Sequence, residues 1–205
     1  MNYLDNFFKL TPDYIDKACK VAGRAFQNDP VIKLTYPNEK ERKQKAPYFF
    51  EMVYRYGIKY GEFYATSNNL EGISVWIPPN RVFASIWDMI KCGALRVMRK
   101  SGLKAMKRGM PVMKYMESAH KRLVKFDHWY LQELIVKPEE QGKGYGSLLL
   151  TTMFKKIDSE GLPIYVDTNN EKNIPFYQKH GFEILEHVIH PKTNIPVWCM
   201  LRKPM

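Results

Sequence analysis

Apolar positions along this chain change their spacing several times, and each change marks an element. Ile15, Ala18, Cys19, Ala22, Ala25 and Phe26 recur at helical spacing. They predict a helix that opens at Thr11-Pro12-Asp13, where Thr can cap and Pro suits the first turn, and that ends at Asn28-Asp29-Pro30. A short strand over residues 6–10 precedes it. Glu39–Tyr60 reads as a second helix with Phe49, Phe50, Val53, Tyr54 and Ile58 turned inward. Residues 62–66 and 70–77 read as a hairpin around Ser67-Asn68-Asn69, closed by Pro78-Pro79. Residues 81–125 are helical in pattern. Val82, Phe83, Ile86, Trp87 and Ile90 make one apolar stripe, expected to dock on the body. Met98, Met106, Met110, Met113 and Met116 make a second, more adaptable one.

Beyond residue 127 the pattern alternates between strand and helix. Residues 128–136 are a nearly continuous apolar strand, followed by a glycine-rich loop and a helix over 146–159. A strand at 163–167, a short helix at 173–180 and a hairpin of 182–190 with 195–201 close the chain. The order predicts a mixed α/β fold, with helices covering a sheet. There is no internal repeat and no low-complexity tract.

Length and composition narrow this picture. The 205 residues suit a single domain over 1–205 with a core of ordinary size. A hydrophobic share of 45% and a charged share of 26% are those of a soluble globular protein. No apolar run approaches the roughly 20 residues needed to span a bilayer. Met1-Asn2-Tyr3-Leu4-Asp5 has no basic patch leading into an apolar stretch and does not read as a signal peptide. Cys19, Cys92 and Cys199 are odd in number and far apart, which argues against a disulfide framework or zinc site and for a reducing, cytoplasmic setting.

The net charge of +11 is concentrated in one place. Residues 81–125 hold twelve Lys or Arg against Asp88 and Glu117, a net of +10, so the remainder is close to neutral. Nucleic acid is not an expected partner, because no aromatics interleave on a basic strand and no recognition motif occurs. Three readings compete for this segment: a solvated face, attraction of an acidic acceptor, or adhesion to anionic membrane. The first is the usual answer for charges on helices, and membrane contact through 81–125 is the least favoured.

Gln141-Gly142-Lys143-Gly144-Tyr145-Gly146-Ser147 joins an apolar strand to the helix containing Leu148, Leu149 and Leu150. A helix N-terminus offers unpaired N–H groups to an anion, and glycines let the backbone approach it. A plain strand–helix turn would need one glycine for its geometry, whereas three stand here at alternate positions. An ATP-type loop needs Ser or Thr after Gly-Lys, and Gly144 stands there. A dinucleotide fingerprint from Gly142 needs Gly or Ala at 147, where Ser147 stands, and too little chain follows for the rest of such a sheet.

The spacing Gln141-x-x-Gly144-x-Gly146 resembles the pyrophosphate signature of the GNAT acetyltransferase superfamily. Leu131-x-x-Leu134-x-Val136-x-Pro138 is similar to the strand carrying it. Asp167-Thr168, Asn173-Ile174-Pro175-Phe176-Tyr177 and Gly181-Phe182 resemble the family's next element, and the likeness runs from about 128 to 185. Asn28-Asp29-Pro30, Trp76-Ile77-Pro78-Pro79 and His128-Trp129-Tyr130-Leu131 also resemble the branch containing puromycin acetyltransferase. The resemblance implies a mostly antiparallel central sheet flanked by helices, with 81–125 as a helical insertion.

It also implies acetyl-CoA as co-substrate and no metal. The loop Gln141, Gly142, Lys143, Gly144, Tyr145, Gly146 and Ser147 would bind pyrophosphate, and the backbone of Leu134, Ile135 and Val136 would pair with pantetheine. A main-chain N–H near Leu134 would serve as oxyanion donor. Asn173 would touch the cofactor, or cap its helix. Tyr177 is the candidate acid: its ordinary pKa near 10 lies above the roughly 8.5 of a thiol, so it keeps a proton to give; packing beside Phe176 is the alternative. Glu133 is the candidate base, a carboxylate on a strand that reads as buried on both faces, with Gln132 as the polar exception on the other side; pairing with a nearby Lys or Arg is the alternative. Asp167 is a weaker candidate. His120, His128 and His180 are single histidines without metal spacing and are expected at the surface.

These readings lead to an N-acetyltransferase that moves acetyl from acetyl-CoA to a primary amine of a small molecule or peptide, by direct attack in a ternary complex. An acyltransferase using another acyl-CoA keeps the fold, and a non-catalytic CoA-binding regulator keeps only the binding. Retention of Tyr177 and Glu133 speaks against the regulator.

Overall fold

A computed structural model of the chain describes residues 3–205; Met1 and Asn2, which begin the stretch read as lacking a leader, lie outside them. One seven-stranded sheet organises the molecule, in the order β1-β2-β3-β4-β5-β7-β6. The strands are β1 (Phe8–Lys9), β2 (Glu62–Ala65), β3 (Gly72–Ile77), β4 (Trp129–Val136), β5 (Ile164–Thr168), β6 (Glu183–Ile189) and β7 (Pro196–Arg202). Every pairing is antiparallel except β4 with β5. The helices are α1 (Ile15–Ala25), α2 (Pro30–Thr35), α3 (Glu39–Tyr60), α4 (Ile86–Lys91), α5 (Ala94–Ser101), α6 (Leu103–Leu123), α7 (Tyr145–Ser159) and α8 (Ile174–Lys179).

The sheet carries different helices on its two faces. Side chains of β2–β4 such as Phe63, Val75 and Ile135 meet Ala18, Ala22, Phe50 and Tyr54 of α1 and α3. On the same side, Val112 and Ala119 of α6 cover Tyr165, Cys199 and Leu201. The opposite face packs Trp76, Leu131, Val166 and Met200 against Leu149, Leu150, Met153 and Phe154 of α7 and Tyr177 of α8. Arg202, fully buried on β7, locks α7 in place: its guanidinium donates to both Asp158 oxygens at 2.7 and 2.8 Å and lies over the Phe154 ring.

Local chemistry explains most element ends. Asn38 caps α3 by accepting from the Glu41 N–H. Pro47 inside that helix packs on α1 at Gly23, where a Cβ would meet the proline ring at 2.7 Å. Thr11 makes no cap hydrogen bond; Pro12–Tyr14 forms a 3₁₀ turn and α1 begins at Ile15. The strand expected over 6–10 contracts to Phe8–Lys9, because Tyr3–Asn6 is also a 3₁₀ turn. The turn expected at Asn28-Asp29-Pro30 instead launches α2: Asp29 Oδ1 accepts from the N–H groups of Val31 and Ile32 at 2.9 and 3.0 Å, with Pro30 in the first turn.

The segment 81–125 is three helices broken at Gly93 and Gly102, both with left-handed φ. Buried Glu51 of α3 gathers Arg55, Arg96 and Lys100, which ties α5 to the body. The expected docking of the 82–90 stripe is corrected here. Val82 packs against the core and Phe83, 38% exposed, lies against the His120 ring, but Ile86 and Trp87 are 71% and 72% exposed and Ile90 is 40% exposed. The docking residues come instead from Val97, Ala105, Val112 and Ala119. Small and β-branched side chains there let α5 and α6 approach closely.

A second correction concerns the histidines. His180 is half-buried, donating toward the Phe176 carbonyl, but His120 and His128 are buried at 3% exposure each, with their Nε2 atoms 2.7 Å apart. His128 Nδ1 lies 2.6 Å from the Phe126 carbonyl and so carries a proton. Its Nε2 then accepts, and His120 Nε2 donates. The His120 ring stacks on Tyr165 at 3.8 Å. Burial, with the neighbouring His128, pushes His120 down to about 3, and burial lowers His128 as well. Both stay neutral in the folded chain and charge in the unfolded one near 6.5. The contribution of His120 is therefore intact above that value and lost as pH falls toward about 3, and that of His128 is lost in the same direction. His120→Phe should keep the stack and remove the titration. Urea midpoints should show it less stable than wild type near pH 7.5, with the gap closing by about pH 5. A constant gap would mean the pair does not titrate with unfolding.

Candidate active site

One extra residue in β4 sets the geometry of the site. Val75 pairs with Glu133 and Trp76 with Leu131, so Gln132 is a bulge with no partner position. Residues two apart on a regular strand share a face; across this bulge they do not. Leu131 packs toward α7, whereas Glu133, beside Val75, turns to the α1–α3 side. Beyond the bulge, β4 and β5 part: they pair only at Trp129–Ile164 and Tyr130–Tyr165. From Leu131 to Val136 the edge of β4 toward β5 has no strand beside it.

On the α1–α3 side of this gap the structure gathers acids. Glu133 Oε2 is shut off from solvent and has no hydrogen-bond partner among the described residues. Burial first, and the nearby Asp29 charge second, hold Glu133 well above the usual carboxylate range. Burial also pushes Asp29 up to about 6, against the two N–H bonds it receives as a helix cap. Asp167 on β5 is raised by burial to about 7, and a hydrogen bond from Tyr130 at 3.3 Å offsets part of this. The alternative reading, Glu133 paired with a Lys or Arg, has no such pair among the described residues.

On the α7 side lies the glycine loop. Gly142 and Gly144 have φ of +81° and +87°, and a Cβ at either would meet nothing within 4 Å. They are required by the backbone conformation and leave open space in front of it. Gly146 is different: a Cβ there would press on Phe176 at 3.3 Å and Val136 at 3.6 Å, so it allows close packing of α7 on β4 and α8. No side chain caps α7, so the N–H groups of Tyr145, Gly146 and Ser147 begin the helix without an intrahelical acceptor. Gln141 lies back over the Val136 carbonyl at 3.4 Å, and exposed Lys143 pairs with Glu140. Ile135 is buried in the core, while Leu134 and Val136 are half-buried, so this stretch offers backbone rather than side-chain chemistry.

Tyr177 stands at the junction. It is buried on α8 between Phe176 and Phe182, both edge-on at 5.5 Å. Burial, then the charges of Asp167 and Glu133, raise its pKa above the ordinary value, so its hydroxyl stays protonated and feels acids from across the gap. Asn173 makes no cap; its Nδ2 donates to Thr168 Oγ1 at 3.0 Å and ties α8 to the end of β5. The three cysteines are buried and free, with thiol pKa values raised by burial, which makes them poor nucleophiles. Among the described residues no group of acids, histidines and cysteines could hold a metal.

Sequence reasoning passed over Asp29 as an acid of the site. Its signal, Asp before Pro and an apolar run, is that of a helix cap, and nothing local says that the cap lies beside β4. Tyr130 enters the sequence reading only as an apolar strand position and within His128-Trp129-Tyr130-Leu131, not as a partner of Asp167.

A buried charge on Asp167 costs stability. The cost is fully present above about 7, shrinks as pH falls toward the ordinary 3.8, and is absent below it. Asp167→Asn should therefore melt higher than wild type at about pH 8, with the difference fading toward about pH 4. A difference that does not change with pH would place the residue in a different environment.

Comparison with known proteins bears on the family and the fold that carries these residues. Residues 109–184 match the model of the acetyltransferase (GNAT) domain. Over 198 residues the chain is 30% identical to an uncharacterized N-acetyltransferase of Schizosaccharomyces pombe, spanning 92% of this chain and 79% of that one. The fold is shared with a Corynebacterium glutamicum protein described as histone acetyltransferase HPA2 and related acetyltransferase, at a TM-score of 0.70 and 20% identity over 98% and 96% of the two chains. It is also shared with arylalkylamine N-acetyltransferase 2 of Aedes aegypti, at 0.61 and 12% over 97% and 98%.

Proposed function

The chain belongs to the GNAT acetyltransferase family, and from that premise we propose that it moves the acetyl group of acetyl-CoA to a primary amine of a small molecule or peptide, by direct attack in a ternary complex. The observation that carries this reading is the bulge at Gln132, which turns half-buried Glu133, its Oε2 shut off from solvent, to the face opposite the glycine loop. Donor and acceptor then approach from the two sides of the gap between β4 and β5.

The residues present fit acetyl-CoA. Open space before two left-handed glycines and the unpaired N–H groups of α7 suit a pyrophosphate, with Gln141, Lys143 and Ser147 at its rim. The unpaired edge of Leu134, Ile135 and Val136 suits an amide-bearing arm, and Asn173 stands at the far side of the gap. When bound, acetyl-CoA supplies an activated acetyl thioester. The orphaned Oε2 of Glu133 accepts a hydrogen bond from the amine and then its proton. Its raised pKa suits that task, and an incoming cation would favour its ionised form. Asp29 and Asp167 add negative potential for an ammonium group. Tyr177 holds the proton that the departing sulfur takes.

Two measurements test this. Acetyl-CoA at a hundred times its Kd should add about 2.7 kcal/mol of stability and raise Tm by several degrees. Gly142→Ala should fold and lose most of that rise; equal stabilisation by NAD would defeat the reading. In steady-state assays with a reactive amine, Tyr177→Phe should lower kcat about 10²-fold with little change in acetyl-CoA affinity. Glu133→Gln should lose rate at neutral pH and recover it as pH rises and free amine becomes abundant. A flat pH response would remove Glu133 from the mechanism.

A further inference from the structure

The exposed apolar face of α4 and α5 has no role in the site just described. Ile86, Trp87 and Ile90 lie at i, i+1 and i+4 of one helix and share a face. Leu95, 64% exposed, opens α5 after the tight turn at Gly93; Leu103, 62% exposed, opens α6 after the turn at Gly102. Single exposed apolar residues are ordinary, but a run of large ones on successive, contacting helices marks an interaction surface.

The charge around this face identifies what covers it. No acidic residue occurs between Asp88 and Glu117. Arg96 and Lys100 are paired with Glu51, which also holds Arg55, and Arg108 donates to the Thr35 carbonyl. Lys91, Arg99, Lys104 and Lys107 make no ion pair among the described residues, and each lies within about a turn or two of Ile90, Leu95 or Leu103. A second copy would bring the same cations against themselves. A phosphate backbone would match the cations but has no use for Ile86, Leu95 and Leu103. A bilayer with anionic headgroups satisfies both halves: aliphatic side chains and the indole enter the headgroup–acyl boundary while the lysines and arginines meet lipid phosphates.

We propose that the exposed apolar residues of α4 and of the starts of α5 and α6, together with Lys91, Arg99, Lys104 and Lys107 of the same segment, dock the protein on an anionic lipid surface. The attachment is peripheral, since among the described residues no helix is long and apolar enough to cross a membrane. It does not depend on acetyl transfer, because none of these residues belongs to the proposed site.

The test is co-sedimentation of the full chain with phosphatidylcholine vesicles, with and without phosphatidylserine. Binding is expected only with phosphatidylserine and should weaken at high salt. Ile86→Ser combined with Trp87→Ser should abolish it while leaving Tm unchanged, since both side chains are exposed. Lys104→Gln and Lys107→Gln should each weaken it about fivefold. Failure to bind these vesicles, or binding indifferent to the Ile86/Trp87 change, would overturn the proposal. So would sedimentation velocity showing a dimer that Trp87→Ser dissolves, because the face would then belong to a second copy.

Discussion

Where β3 meets β4, Gln132 has no residue opposite it, and the molecule's division of labour depends on that surplus position. With a regular strand, Glu133 would share the face of Leu131 and point into the apolar layer beneath α7, where an ionisable group would have neither water nor a partner. The bulge turns it to the other face, and its twist helps β4 leave β5 after two residue pairs. A gap in a sheet leaves backbone polar groups unpaired, which is costly unless something supplies partners. An open gap flanked by a glycine-rich helix start on one face and half-buried acids on the other is therefore where the proposed reading puts its ligands.

The acids and the cations of this chain are segregated. Glu133, Asp29 and Asp167 are half-buried and each is raised by burial, while residues 81–125, which contain α4–α6, carry a net +10. Exposed cations at that distance are screened and do little to ionise the inner carboxyls. The two systems can act separately: in the proposed reading the interior would receive a cationic group and the exterior would face anions. This weakens the reading in which the basic segment steers an acidic acceptor into the site, because such an acceptor would meet three carboxyls at the end of its path.

Much of this was legible in the sequence. The order of strands and helices after residue 127 follows from alternation and turn residues, and Glu39–Tyr60 is marked at both ends, by Asn38 and Gly61. The loop was legible because three glycines in a phosphate-binding pattern have few other uses. The bulge was not, since an extra strand residue is visible only once the partner's register is known. Asp29 is local chemistry placed by tertiary packing beside a strand a hundred residues away. The histidines misled for a related reason: each looks solitary, and only the fold of α6 against β4 joins them into a neutral, hydrogen-bonded pair.

The 82–90 stripe shows where periodicity stops being informative. Helical spacing of Ile86, Trp87 and Ile90 says that one face is apolar, and it cannot say what that face meets. Within the chain the space beside α3 is already taken by α5, held by the three cations on Glu51. Docking α4 there as well would require displacing Arg96 and Lys100 and leaving a buried carboxylate with Arg55 alone, which costs more than a few exposed apolar side chains return. The stripe is thus left outward by a charge constraint in the helix beside it. An amphipathic helix that cannot turn inward keeps its apolar face for whatever the surrounding cations attract.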